Sequence, residues 1–189
     1  MNITLLVLLI VPGVVVLAGL ILAWIYNSLT ILFYRAKEAL SDIDVQLKRR
    51  YDLIPNLIET VKGYMNHEKD VLENVTKARA SISSSGKDPL NRAKEEDALT
   101  NTLKTLFAVA ENYPDLKASA NFLDLQREIA DTENKIQASR RFYNTMTRDL
   151  NTRVKTFPSN IVAKIFGFKE QEFFEAESEE EKQPVKVKF

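Results

Sequence analysis

The amino-terminal part of the chain contains no charged side chain before Arg35, and this feature most constrains the fold. The run from Ile3 to Ile25, ITLLVLLIVPGVVVLAGLILAWI, is almost wholly apolar. As an α-helix it would extend about 35 Å, against about 30 Å for the hydrocarbon core of a bilayer. The run therefore predicts one transmembrane helix, with Trp24 and Tyr26 at its exit where an aromatic belt belongs.

A cleaved signal peptide is the alternative interpretation of this run. Signal peptides carry a basic amino-terminal region, a shorter apolar region and a cleavage site flanked by small residues. None of these is clear in the sequence. The pattern favours an uncleaved, single-pass anchor.

The orientation of the anchor follows from the positions of basic residues. Only the amino terminus precedes the apolar run, whereas Arg35, Lys37, Lys48, Arg49 and Arg50 follow it. Positive charge is retained on the cytoplasmic side of membranes. We expect the amino terminus outside and the remaining chain in the cytoplasm.

Two small residues in the run, Gly19 and Ala23, are four positions apart. Such pairs allow two membrane helices to approach closely. They are a candidate helix-packing site in the membrane, consistent with a homo-oligomer.

After the run, the periodicity is helical throughout. Apolar or small residues recur at alternating spacings of four and three, as on one face of an amphipathic helix. Asp88 and Pro89 are typical of a helix start, Pro114 of a helix end, and the last long helix begins near Ser119. The four stripes are Leu29, Phe33, Ala36, Leu40, Ile43 and Leu47; Ile58, Val61, Met65, Leu72 and Val75, interrupted by Glu68; Leu99, Leu103, Leu106, Ala110 and Tyr113; and Phe122, Leu125, Ile129, Ile136, Tyr143, Leu150 and Val154.

Pro55 interrupts the first of these helices, and two interpretations are open. The apolar spacing continues beyond it, which is compatible with one long kinked helix at a cost of about 3 kcal/mol or more. A turn near Asp52 would instead give segments of matching length for an up-down bundle. The lengths favour the turn.

The carboxyl-terminal part contains a short helix and a tail. The sequence FPSN at 157–160 ends the long helix, Ser159 or Asn160 can cap a short one, and Gly167 is a typical helix-ending residue. From Glu175 the chain is polar and acidic, which predicts disorder. We expect an anchor at 1–26, a helical bundle at 27–174 and a disordered acidic tail at 175–189.

Several long segments carry a family resemblance. DVQLKRRYDLIPNLIETVKGY at 44–64, HEKDVLENVTKARA at 67–80 and FPSNIVAKIFGFKEQEFFEA at 157–176 resemble the LemA family of bacterial membrane proteins. The resemblance extends from about Tyr26 to Ala176. It implies an all-α fold, with an antiparallel four-helix bundle and a short extra helix behind one anchor in the bacterial inner membrane, and it carries no catalytic residues over.

Few features of the sequence point to chemistry. The 26 basic and 26 acidic side chains cancel, which argues against nucleic acid as a partner. Cysteine is absent and His67 is the only histidine, so a thiolate site and a zinc-protease helix each lack a required residue. A serine triad would have to use His67, and the sequence has no Gly-x-Ser-x-Gly turn to carry its nucleophile. The loop sequence SSSGKD at 83–88 lacks the rest of a phosphate-binding motif. We expect no cofactor, no metal and no enzymatic activity.

Polar residues in the middle of the last helix, with three from the first, form a candidate structural network. Buried networks of this kind can determine helix register. A binding site is the alternative. The candidates are Arg49, Arg50, Asp52, Glu128, Glu133, Asn134, Arg140 and Asn144.

A phenylalanine-rich segment is the candidate interaction surface. So many large apolar side chains near a terminus require something to cover them. The bilayer or a neighbouring protomer is one possibility, and the end of its own bundle is the other. The residues are Phe157, Ile161, Ile165, Phe166, Phe168, Phe173 and Phe174.

The sequence thus predicts a membrane-anchored helical scaffold or interaction protein of the bacterial cell envelope. Its expected partners are the lipid bilayer, further copies of itself and a possible membrane-protein partner. The alternative is an adaptor that regulates a membrane protease or kinase in envelope signalling.

Overall fold

The computed structural model describes residues 3–65, 67–84 and 88–174, with side chains from Ile10 onward, apart from those gaps. Within these ranges the chain is all-helical and contains no strand. The helices are α1 (Ile3–Lys62), α2 (Lys69–Ser84), α3 (Ala93–Ala110), α4 (Pro114–Lys117), α5 (Ala120–Lys155) and α6 (Ser159–Phe166). The predicted disordered tail at 175–189 lies outside the described residues, as do positions 85–87 of the SSSGKD loop.

Helix α1 is continuous through Pro55, so the turn predicted near Asp52 is wrong. Proline has no N–H to donate to the carbonyl four residues earlier, which here belongs to Tyr51. That oxygen instead accepts a hydrogen bond from Arg79 Nε of α2, at 3.3 Å. The apolar stripe also continues along the same face of α1 on both sides of the proline, since Ile54 and Leu57 are both buried. A donor from another helix and an unbroken stripe stabilise the helix where its own hydrogen bond is missing.

The structure also corrects two predicted helix starts. Asp88 does not cap α3: its carboxylate accepts a hydrogen bond from the backbone N–H of Leu90 at 3.2 Å, and the helix begins later, at Ala93. Neither Ser159 nor Asn160 caps α6, whose N-cap is Pro158. The Ser159 hydroxyl donates to the Arg153 carbonyl at 2.6 Å instead.

The end of α6 is as predicted. Gly167 has φ 74° in the left-handed region, and the backbone N–H groups of Gly167 and Phe168 both bond to the Ala163 carbonyl. Glycine adopts this conformation without the steric cost of a side chain. A larger residue at this position would strain the turn that carries the chain to Phe168.

The described residues form two compact units, and both α1 and α5 contribute to each of them. Unit 1 contains residues 3–38 and Phe142–Phe173, and unit 2 contains Ala39–Arg141 with Phe174. The core of unit 1 consists of Ile25, Leu29, Leu150, Val162 and Ala163. The larger core of unit 2 consists of Ile54, Leu57, Val61, Met65, Val75, Ile82, Leu99, Leu103, Leu106, Ala110, Leu116, Phe122 and Ile129.

Tyr113, beyond the end of α3 in unit 2, is held to the residue before α2. Its hydroxyl donates to Glu68 Oε1 at 3.0 Å. Desolvation, followed by this hydrogen bond and the negative charge of Glu68, raises the pKa of Tyr113 above its ordinary value. The tyrosine therefore remains a hydrogen-bond donor at any physiological pH.

Candidate functional site

Two groups of residues were candidates for function, and the structure places them in different units. The polar candidates belong mainly to unit 2, and most of the phenylalanine-rich segment belongs to unit 1. Within each group, some of the predicted residues contact one another or share a surface, and others lie elsewhere.

Arg50 is the centre of a buried charge network in unit 2. Its position on α1 falls in the apolar stripe between Leu47 and Ile54, so its side chain points into the core and is fully buried. The guanidinium Nη2 donates to Glu96 Oε2 at 2.7 Å, and Nη1 donates to Thr100 Oγ1 at 2.7 Å. Arg50 Nη1 also donates to the carboxylate of Glu133 on α5. One arginine thereby joins α1, α3 and α5.

A second arginine extends this network toward solvent. Arg92 Nε lies 3.2 Å from Glu96 Oε1, and Arg92 Nη2 donates to Asp44 Oδ1 at 2.5 Å. Glu96 therefore lies between two arginines, and its carboxylate is compensated although its residue is only 2% exposed. Pairing of this kind offsets the desolvation of buried charges.

Among the eight predicted polar residues, Arg50 and Glu133 form an ion pair. Arg140 pairs with Asp97 Oδ1 at 2.8 Å, and its guanidinium lies 5.3 Å from the centre of the Phe174 ring. Arg49, Asp52, Glu128 and Asn134 are exposed, and Asn144 is half-buried. Asp52 makes a surface ion pair with Lys48 at 3.8 Å.

Three residues of the network, Glu96, Thr100 and Arg92, are not among those predicted from the sequence. Glu96 could have been found from the sequence. It lies three residues before Leu99, so it falls on the same face of α3 as Leu99 and Leu103. A charged residue at a core position requires an opposite charge, and Arg50 occupies the corresponding position on α1. No such periodic signal marks Arg92.

Each carboxylate of the network is paired with a guanidinium: Glu96 with Arg50 and Arg92, Glu133 with Arg50, and Asp44 with Arg92. Across residues 3–65, 67–84 and 88–174, no group of three or more His, Cys, Asp or Glu side chains is arranged to hold a metal ion. His67 lies exposed in the turn before α2.

The seven candidates of the phenylalanine-rich segment also divide. Phe157, Ile161, Ile165 and Phe166 are exposed in unit 1, and we call these four the α6 surface. Phe173 is exposed as well. Phe168 is half-buried against Tyr26 and Phe33, with ring centroids 5.9 and 6.4 Å away, and Phe174 is buried.

Helix α6 is held against α1 by Val162 and Ala163, which are buried with Ile25 and Leu29 in one core. Phe166 lies at the edge of this contact: it is exposed, and its ring lies 4.7 Å from the Tyr26 ring, centroid to centroid. Ile25 is the last residue of the apolar run. The α6 surface is therefore located beside the end of that run.

The apolar part of α1 is itself exposed on every side. Val14, Val15, Val16 and Leu17 are four consecutive residues, which cover all faces of a helix, and each is more than half exposed. Gly19 and Ala23 also lie on open surface, and a side chain added at Gly19 would have no neighbour within 4 Å. By length and composition, α1 could cross a membrane. The structure thus presents two exposed apolar features next to one another, the run and the α6 surface.

Comparison with known proteins agrees with the resemblance of the sequence segments. The chain is 32% identical over 130 residues to Protein LemA of Metamycoplasma hominis, covering 67% of this chain and 58% of that protein. It is 22% identical over 174 residues to Magnetosome protein MamQ of Magnetospirillum gryphiswaldense, covering 79% of this chain and 64% of that protein. The chain therefore spans about three fifths of the length of these relatives. A model of the LemA family matches residues 39–189, most of the chain, and on this evidence the protein is a member of the LemA family.

Proposed function

We propose that this protein is a membrane-anchored helical scaffold of the bacterial cell envelope. The observation that carries the proposal is the apolar run of α1, whose side chains from Ile10 to Trp24 are exposed on all faces. A helix that is apolar all round is stable where its surroundings are apolar, as in a bilayer. The part of the chain that follows the run would then be tethered to the membrane.

The proposal retains an antiparallel four-helix arrangement for unit 2. It is supported by the single core to which α1, α2, α3 and α5 all contribute buried side chains. The buried Arg50 network, which joins three of these helices, would favour one register over others. A rigid bundle with a defined register suits a protein that presents surfaces to partners.

We place the apolar run in the inner membrane, the amino terminus outside and the chain that follows the run in the cytoplasm. Arg35, Lys37, Lys48 and Arg49, which follow the apolar run and are exposed, support this orientation. The chain has no cysteine, so a single one can report topology. We expect Ala138→Cys, at an exposed position of α5, to react with an impermeant maleimide only after the inner membrane is opened. Equal labelling of Ala138→Cys in intact spheroplasts would show that the orientation is the opposite one.

Self-association is part of the proposal, with Gly19 and Ala23 as the candidate contact. We expect the gently extracted full-length protein to form a discrete assembly, measured by mass photometry. Gly19→Ile should shift this assembly to smaller particles, because a bulky side chain separates two closely packed helices.

Gly13→Ile is the matched control for this experiment. Gly13 lies in the same run, and a side chain added there also meets nothing within 4 Å. The control should keep the mass of the assembly. If the unaltered protein is a monomer, self-association is contradicted. If both substitutions have equal effects, Gly19 is not part of the contact.

A further inference from the structure

We propose that the α6 surface binds the lipid–water interface of an anionic bilayer, as a second membrane contact beside the α1 anchor. The inference rests on the proposed membrane anchor. It adds that lipid covers a second apolar surface, which the chain itself leaves exposed. Three independent features of unit 1 support it: exposure, position and charge.

The first feature is the exposure of the four residues. Phe157 is 80% exposed, Ile165 70%, Phe166 58% and Ile161 50%. Ile161 and Ile165 are four residues apart on α6, so they lie on one face, away from the buried Val162 and Ala163. Ile161 and Ile165 thus form an exposed apolar strip on α6, bordered by the exposed polar residues Asn160 and Lys164.

The second feature is the position of this face along α1. Trp24 and Tyr26, at the end of the apolar run, both contact the carboxyl-terminal part of unit 1. The Arg153 guanidinium carbon lies 5.5 Å from the centre of the Trp24 ring, and the Tyr26 ring packs on Phe166. Tryptophan and tyrosine concentrate at the membrane–water boundary. The α6 surface is therefore continuous with the surface that the anchor presents at that boundary.

The third feature is charge. From Arg153 to Lys169 the chain contains four basic residues, Arg153, Lys155, Lys164 and Lys169, and no acidic one. Lys155 is ion-paired with Glu170 at 2.9 Å, so the charge beside the α6 surface comes mainly from the other three. Lys164 is exposed between Ile161 and Ile165. Amphipathic helices with apolar residues on one side and lysine or arginine at the edge bind in the plane of the interface, attracted by anionic headgroups. This combination favours lipid over a second protein copy as the occupant.

The test uses the full-length protein reconstituted into vesicles of phosphatidylcholine and phosphatidylglycerol. Because the chain has no cysteine and one tryptophan, Ile165→Cys can carry an NBD label while Trp24 reports on the anchor separately. Lipids with a nitroxide near the headgroup quench the label, and brominated lipids quench Trp24. The matched control is Phe142→Cys, an exposed apolar position of the same unit on α5.

We expect the label at position 165 to emit at shorter wavelength and lose most of its emission to the nitroxide lipid, while the label at position 142 loses little. Trp24 should be quenched in both variants. Lys164→Glu in the labelled protein should reduce quenching at position 165 and leave that of Trp24 unchanged, because it repels anionic headgroups. A second label, at Ile161→Cys, should behave as the first.

Three other outcomes would overturn the inference. Quenched Trp24 with an unquenched, water-like label at position 165 would leave the anchor intact and show that the α6 surface faces solvent. A blue-shifted but unquenched label that crosslinks to its equivalent would show that a second copy covers the surface. Unquenched Trp24 would refute the anchor itself, and with it the proposed function.

Discussion

Arg50→Leu is expected to lower the free energy of unfolding by about 3 to 5 kcal/mol, the usual effect of removing one partner from a buried ion pair. The substitution deprives Glu133 of its guanidinium partner and leaves Glu96 with Arg92 alone. It also removes the donor to Thr100. Urea-induced loss of helical circular dichroism, measured on the full chain in detergent, provides the comparison.

The adjacent residue is the natural control for this experiment. Arg49 has the same charge and lies exposed on the same turn of α1, so Arg49→Leu should change the free energy of unfolding by no more than about 0.5 kcal/mol. Combining Arg50→Met with Glu96→Gln and Glu133→Gln should recover much of the loss, since no unpaired charge then remains buried. Equal effects at positions 49 and 50 would show that the network does not stabilise the fold.

Pro55→Ala is expected to raise the free energy of unfolding, by up to about 3 kcal/mol, the difference between proline and alanine inside a helix. Pro55 is exposed, so its replacement removes no core packing. Alanine restores the N–H that can bond to the Tyr51 carbonyl. Thermal and urea unfolding of the two proteins would measure the gain.

A double-mutant cycle with Arg79→Ala tests the explanation given for the continuous helix. Arg79 Nε bonds to the Tyr51 carbonyl, and the guanidinium carbon also lies 3.9 Å from the centre of the Tyr51 ring. The ring contact is present in both backgrounds and cancels in the cycle. Arg79→Ala should therefore cost more with Pro55 than with alanine at that position. Equal losses in both backgrounds would mean that Arg79 does not substitute for the missing helical hydrogen bond.

The helical segments could be largely predicted because their signals are local. Apolar residues at spacings of three and four identify a buried face whatever lies against it, and the stripe of Leu99, Leu103 and Leu106 is indeed buried. Helix starts were less predictable. Asp88 has the chemistry of a cap, but its carboxylate bonds within a turn before α3.

For the candidate sites too, the sequence shows which residue types are clustered along the chain, but not which of them other helices cover. The sequence marks Phe157, Ile161, Ile165 and Phe166 as part of an unusual concentration of apolar residues, and all four are exposed. It could not separate them from Phe168 and Phe174, which other parts of the chain cover. In the polar network, composition identified Arg50 and Glu133 but also selected exposed neighbours such as Arg49.

By itself, the sequence determined that this protein is helical, that its first segment is apolar enough to cross a membrane, and that Gly167 terminates α6. Each of these depends on residues close together in the chain. The tertiary structure decided whether Pro55 breaks α1 and which carboxylates surround Arg50. The donor to Tyr51 lies 28 residues away, and the carboxylates on Arg50 lie 46 and 83 residues away. Both outcomes depend on hydrogen bonds between separate helices, which form only when those helices pack together.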